Sequence, residues 1–415
     1  MLKRIPVDRL VVGMYVKEFC GSWMDHPFWR SSFVITDVME IETIRQSSVR
    51  EVLIDISRGI DIAEDRGADP VWSATTTDTD DPRPADAATR EPCDTGRVPV
   101  AAEFARAARI VASSRQAVAS MFEEARMGRA IDAQGARELV EQIADSVSRN
   151  PGALISLARL KTADDYTYMH SVAVCALMIA LARQLGFDEQ QARVAGTAGL
   201  LHDLGKAVMP LEILNKPGKL TDDEFAIIRS HPEEGHRMLC EGGVADEVAL
   251  DVVLHHHEKV DGSGYPRRLK GDEISLVAKM GAVCDVYDAI TSNRPYKAGW
   301  DPAESLRRMA EWSTGHFDSN VFQAFVKSIG IYPIGSLVLL NCGRLGVVVE
   351  QGDKSLLSPR VKVFFSTRSS ARILPAVVDL EQPGCRFRIV SREDPGKWKF
   401  PDLNEIWSGL PNVQS

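Results

Sequence analysis

A chain of 415 residues is long enough for two or three domains, and 44% hydrophobic with 26% charged residues is the balance of an ordinary globular protein. Its net charge of −9 argues against a duplex nucleic acid or an anionic membrane held through a polybasic face, and leaves room for a local basic pocket. Seven widely spaced cysteines with no CxxC pair argue against a zinc ribbon or a disulfide framework and favour reduced thiols.

Residues 1–62 alternate short apolar runs with turns. LVVGMYV and SSFVITDV read as strands, and EIETIRQSSV followed by REVLIDIS reads as helix then strand, so a small α+β module is expected. Residues 63–99, rich in Asp, Thr, Ala and Pro, are too poor in apolar side chains to build a core and read as a flexible linker. From 100 to 330 the spacing is helical. EFARAARIVASSRQAVASMFEEARMG and the segment from Ile131 to Arg149 predict amphipathic helices. HSVAVCALMIALARQLGF is apolar nearly all round, as a central bundle helix is, and Gly186 is its stop. Another helix ends at AGLLHDLGK, Thr221 to Glu224 resembles a capped start, and SLVAKMGAVCDVYDAI predicts a further apolar helix. Over 331–415, GSLVLLNCGRLGVVVEQGD reads as a hairpin around Gly343, with RVKVFFST and CRFRIVS as further strands. The fold class is therefore mainly α, a helical bundle between an α+β module and a β-rich extension. The N-terminal MLKRIPVDRL lacks the apolar core of a signal peptide, and the run from Val172 to Ala182 is too short to span a bilayer, so a cytoplasmic location is expected.

Chemistry concentrates in the bundle. Seven of nine histidines fall between 170 and 257. The candidate metal ligands are His170, His202, Asp203, His231, His256, His257 and Asp285. Neutral imidazoles and carboxylates on facing helices suit a hydrolytic metal centre. A lone helical histidine such as His170 is more often a hydrogen-bonded core residue. His231, before Pro232, also reads as a loop residue, and His255–His257 also as a solvated loop. Asp285 within an apolar helix is more telling, because a carboxylate there needs a cation or a strong hydrogen-bond set. Jointly the metal reading is the stronger one. His236 and His255 are set aside as non-ligands.

In their order and spacing HDLGK, HPEEGH, HHHEKVDGSGYP and CDVYDAITSNRPYK closely resemble the HD-GYP domain, a subset of the HD phosphohydrolases, over roughly residues 148 to 330. The segment 1–62, with GMYV and SWMDHPFW, resembles a small domain often found ahead of it. The resemblance implies hydrolysis of the bacterial second messenger cyclic di-GMP to linear pGpG, with GMP after a second round, by two divalent ions, iron or manganese. By motif position His170, His202, Asp203 and Asp285 would hold one ion. Asp203, His231, His256 and His257 would hold the other, with Asp203 bridging. Some family members add a third metal through a glutamate where this chain has Tyr166, so two metals are expected.

The expected catalytic residues are Asp203 and Lys206, whose ammonium can meet charge developing on the scissile phosphate; the plainer reading of Lys206 is a helix-end lysine favoured by the dipole. The signature loop contributes Gly262, Gly264, Tyr265 and Pro266. Arg294 and Lys297 suit phosphate or guanine recognition, and Asp164 and Asp288 are further substrate-pocket candidates. Lys259 and Asn293 stand where the family often has arginine and aspartate. Two other readings compete: a sensor or scaffold that binds cyclic di-GMP or diguanylate cyclase-domain partners without turnover, and an HD phosphohydrolase for another nucleotide. The GSGYP loop argues against the latter. The N-terminal module and the C-terminal extension carry no chemical motif and are candidates for regulation, partner binding or homodimer formation.

Overall fold

The computed structural model describes residues 2–20, 33–35, 37–46, 50–60, 98–129, 132–160, 166–216, 218–243, 246–292 and 299–410. Nearly all of the expected linker, the SWMDHPFW segment, Asp164, Asn293, Arg294 and Lys297 lie outside them, as does the side chain of Tyr166. Residues 1–95 and 96–415 form two compact units.

The first unit is a four-stranded antiparallel sheet with one helix. Its elements are β1 (Leu2–Pro6), β2 (Tyr15–Cys20), β3 (Phe33–Val34), α1 (Val38–Gln46) and β4 (Glu51–Asp55), in the sheet order β1-β4-β2-β3. Ile5, Met14, Val16, Ile35, Ile44, Val52 and Ile54 form its core. Helix α1 and β4 lie where the pattern puts them. The expected strand over LVVGMYV begins only at Tyr15: residues 11–13 form a turn, with Gly13 at φ +96°. The short β1 carries two basic residues and a proline, which hide it from the alternation pattern.

The second unit is built around helices α2 (Val100–Arg126), α3 (Ala133–Arg149), α4 (Pro151–Ala158), α5 (Tyr166–Gln184) and α6 (Glu189–Leu201). Every residue of α5 from Val172 to Ala182 is buried, as its unbroken apolar composition requires, and α2, α4, α6 and later helices pack around it. Gly186, at φ +86°, ends the segment. Short α7 (Leu211–Leu214) and α8 (Asp222–Ile228) follow, and α8 starts with the expected capping box between Thr221 and Glu224. Then come α9 (His231–Glu241), α10 (Glu247–His255), α11 (Leu276–Thr291), α12 (Pro302–His316) and α13 (Ser319–Ile329).

Beyond α13 lies an antiparallel five-stranded sheet of order β8-β7-β6-β5-β9, made of β5 (Leu337–Leu340), β6 (Arg344–Glu350), β7 (Arg360–Ser366), β8 (Ala371–Asp379) and β9 (Ile389–Arg392). Gly343, at φ +77°, turns β5 into β6 as expected. Edge strand β8 gives no strand signal in the sequence because Pro375 interrupts it and its residues are largely exposed, which suits an edge. The sheet is fastened to the bundle: Arg159 donates to the Ile334 carbonyl at 3.0 Å, and the Val100 amide donates to Glu350 Oε1 at 3.2 Å. Among the described residues Cys175, Cys240, Cys284, Cys342 and Cys385 are free of disulfides, with Cys175 and Cys284 buried. Among the described residues, no helix is long and apolar enough to cross a membrane.

Candidate metal centre

Five helix termini and helix walls deliver the cluster. His170 sits in the first turns of α5, His202 caps α6, and Asp203 opens the 3₁₀ turn Leu204–Val208. His231 is the first residue of α9, with Pro232 behind it at a position where a missing N–H costs nothing. His256 caps α10 and Asp285 lies on α11. The loop reading of His231 thus gives way to a helix start, and the solvated-loop reading of His256 to a ring only 1% exposed. His236 lies by Cys240, and His255 Nδ1 is 2.8 Å from Asp251 Oδ1.

Two groups of donors emerge. Asp203, His231, His256 and His257 offer ligand atoms within 4.8 Å of one another, and so do His170, His202 and Asp285. Asp203 lies between the groups. Its Oδ1 is 3.3 Å from His231 Nε2 and 3.8 Å from His256 Nε2, while its Oδ2 is 3.4 Å from His202 Nε2 and 3.5 Å from His170 Nε2.

The tautomers follow from the backbone. His202 Nδ1 is 2.8 Å from the Gly199 carbonyl, His231 Nδ1 is 2.7 Å from that of Ile228, and His256 Nδ1 is 3.0 Å from that of Val253. A carbonyl only accepts, so each Nδ1 must donate, and in the neutral ring Nε2 is a bare lone pair. Burial holds His231 and His256 below the ordinary histidine pKa, which keeps them neutral. Lone pairs then face lone pairs: His231 Nε2 and His256 Nε2 are 3.3 Å apart, and both point toward Asp203 Oδ1. Asp203 Oδ1 and His202 Nε2 are buried with no hydrogen-bond partner among the described residues. Converging acceptors of this kind need a cation between them, and imidazole nitrogens with carboxylate oxygens suit a divalent transition metal.

Burial opposes charge on the two aspartates, yet both stay well below the usual carboxylate range. The Lys206 ammonium outweighs burial at Asp203, and the hydrogen bond from His170 does so at Asp285. Lys206 Nζ is 2.5 Å from Asp203 Oδ2.

Asp288 lies against a candidate metal ligand. It is buried, with Oδ2 2.6 Å from His170 Nδ1, while His170 Nε2 faces Asp285 Oδ1 at 3.0 Å on the other side of the ring. That is the arrangement of an outer carboxylate that orients a ligating imidazole. Asp288→Asn, which keeps the shape and removes the charge, is expected to weaken metal binding about 10- to 100-fold. A chelator-competition titration that finds unchanged affinity would exclude this positioning role.

The signature loop closes over the second group. Tyr265 stacks on His257 with ring centroids 4.7 Å apart and planes at 28°, and the Arg229 guanidinium lies 4.6 Å from the Tyr265 ring centre. Burial and the nearby carboxylates raise the Tyr265 pKa, so its hydroxyl stays protonated. A Cβ on Gly264 would fall 2.4 Å from the Lys259 nitrogen and 2.5 Å from Glu258 Cα, so glycine lets the loop press against the histidine-bearing backbone. Glu258, buried, accepts from the amides of Arg267, Arg268 and Leu269 at 2.6, 3.0 and 3.0 Å. Sequence reasoning misses Arg229 and Glu258, because their partners lie 36 and 9–11 residues away.

A helical bundle that converges seven nitrogen- and oxygen-bearing side chains on two adjoining groups defines a candidate dinuclear metal centre. Residues 140–321 match the family model described as HD domain, and residues 2–136 match that described as Domain of unknown function (DUF3391). The chain is 54% identical over 411 residues to a cyclic di-GMP phosphodiesterase of Pseudomonas aeruginosa, covering 99% of this chain and 96% of that one. It is 39% identical over 150 residues to a cyclic di-GMP phosphodiesterase response regulator of Xanthomonas campestris, covering 35% of this chain and 39% of the relative. Over 164 residues it is 37% identical to a 3′3′-cGAMP-specific phosphodiesterase of Vibrio cholerae, covering 39% and 38% of the two chains. The chain belongs to the HD-GYP family of HD phosphohydrolases and carries a DUF3391 domain ahead of its HD domain.

Proposed function

We propose that this chain hydrolyses cyclic di-GMP to linear pGpG, and more slowly to GMP, at a centre that takes two divalent ions, iron or manganese. The observation that carries the reading is Asp203, placed between two donor groups with buried acceptors aimed at one another. In this reading His170, His202 and Asp285 would hold one ion, His231, His256 and His257 would hold the other, and Asp203 would contribute to both. Bound there, a metal pair supplies positive charge for the phosphoryl oxygens and makes water more acidic.

The protein's own groups do the rest. The Nδ1–H donors to backbone carbonyls and the Asp288 carboxylate fix the imidazoles before substrate arrives. Lys206 brings an ammonium to the edge of the cluster, where it meets charge building on the scissile phosphate. Tyr265, held between His257 and Arg229, walls the site and limits access of bulk water. Water oxygen bonds to phosphorus, one P–O3′ bond breaks, and the 3′ oxygen takes up a proton. Arg294, Lys297 and Asp164 remain proposed substrate contacts.

The strong full-length likeness to a cyclic di-GMP phosphodiesterase supports this substrate over 3′3′-cGAMP, for which the likeness is confined to part of the chain. All seven donors of the cluster are present, which favours turnover over sensing with a cyclase-domain partner. Metal-loaded protein incubated with cyclic di-GMP is expected to yield pGpG on chromatography. Intact substrate after prolonged incubation with stoichiometric metal would rule the reading out.

A further inference from the structure

One cavity lies outside the donor cluster but on the same 3₁₀ turn. Its volume is about 430 Å³, and Arg126, Ala207, Val208, Met209, Leu211 and Glu212 line it. It begins one residue after Lys206, whose ammonium rests on Asp203. Its wall combines apolar and charged residues. Val208 and Leu211 are 40% and 49% exposed, large apolar side chains turned to solvent with nothing over them among the described residues. The guanidinium of Arg126 is tied to the turn, its Nε donating to the Ala207 carbonyl at 2.9 Å. Glu212 contributes a carboxylate.

We infer that this cavity is a guanine subsite, which receives one base of the cyclic dinucleotide; the inference rests on the substrate reading given above. A purine needs an apolar slot for its faces, and the size falls within that of small-ligand pockets. The edges decide which purine. Guanine offers two acceptors, O6 and N7, to a guanidinium, and two donors, N1–H and N2–H, to a carboxylate. Adenine keeps the N7 acceptor but puts a donor at N6 toward the guanidinium and an acceptor at N1 toward the carboxylate, so it loses one bond at the arginine and all pairing at the glutamate. One arginine and one glutamate at the same slot therefore select guanine, and Glu212 is the specificity-determining residue.

The decisive comparison is Glu212→Ala against the unaltered chain, with metal content and thermal unfolding measured first to show that the fold and the donor cluster are intact. Glu212→Ala is expected to raise KM for cyclic di-GMP about tenfold with a much smaller change in kcat, and to narrow the preference for cyclic di-GMP over cyclic di-AMP. A second arm uses the metal-stripped protein and needs no turnover: GMP is expected to bind more tightly than AMP, and Glu212→Ala to remove the difference. An active unaltered chain with unchanged KM and selectivity in Glu212→Ala overturns the subsite alone. An inert unaltered chain that still prefers GMP, with the preference lost in Glu212→Ala, overturns the phosphodiesterase reading and keeps the subsite. Equal GMP and AMP binding in the stripped protein overturns the subsite.

Discussion

Replacing Asp203 by alanine is expected to lower kcat/KM on cyclic di-GMP by on the order of 10³-fold or more, about 4 kcal/mol of transition-state stabilisation. Its two oxygens face different donor groups: Oδ1 looks to His231 and His256, and Oδ2 to His170 and His202. Loss of the side chain takes one donor from each group at once. It also leaves the Lys206 ammonium beside the imidazole cluster without its carboxylate partner. Both metal affinity and rate should fall together. Asp203→Asn keeps the volume and one acceptor oxygen, so it should retain more metal than the alanine variant and still lose most of the rate. Steady-state kinetics beside elemental analysis separates these outcomes; alanine and unaltered protein with equal rates would remove Asp203 from the machinery.

Gly205→Ala is expected to cost about 3 kcal/mol of stability or more, although it adds a single methyl group. A Cβ there would lie 1.9 Å from the His231 carbonyl oxygen and 2.6 Å from the Gly235 nitrogen. Both are backbone atoms, so no rotamer change relieves the clash. Helix α9 must retreat, and His231 moves with it. Gly235 makes the matching approach from the other side, its own Cβ position being 3.0 Å from the Gly205 nitrogen. Thermal unfolding of the metal-stripped variant should show Tm lower by roughly 5 °C or more. Metal-loaded samples should show a further loss, because binding to the native state no longer compensates. A variant with unchanged Tm and unchanged metal content would mean that α9 does not depend on this close approach.

Much of the bundle is legible in the sequence because its signals are local. Helix α5 is apolar all round and its core stretch is buried, Thr221 caps α8, and Gly343 turns a hairpin. The donor residues are legible because histidine and aspartate are rare on apolar helices, so their accumulation between 170 and 285 points to a cation that they share. What the residues bring together only in three dimensions is not legible. Asp288 lies one turn from Asp285 in sequence, yet it meets His170 from 118 positions away. Glu258 looks like a surface acid after three histidines, yet it is buried under three loop amides. Pro232 signals a loop as readily as a helix start, and only the packing of α9 against the Gly205 turn decides between them. Strand β8 fails the alternation test for a different reason: it is an edge strand with exposed apolar residues and an internal proline.

The most direct test titrates iron or manganese, without oxygen, into metal-stripped protein while cyclic di-GMP is followed by chromatography. Turnover should stay near background until metal exceeds one equivalent per chain and reach its plateau near two, with pGpG as the first product. Full turnover by stripped protein, or intact cyclic di-GMP at two bound metals per chain, would contradict a phosphodiesterase built on Asp203 and its two donor groups.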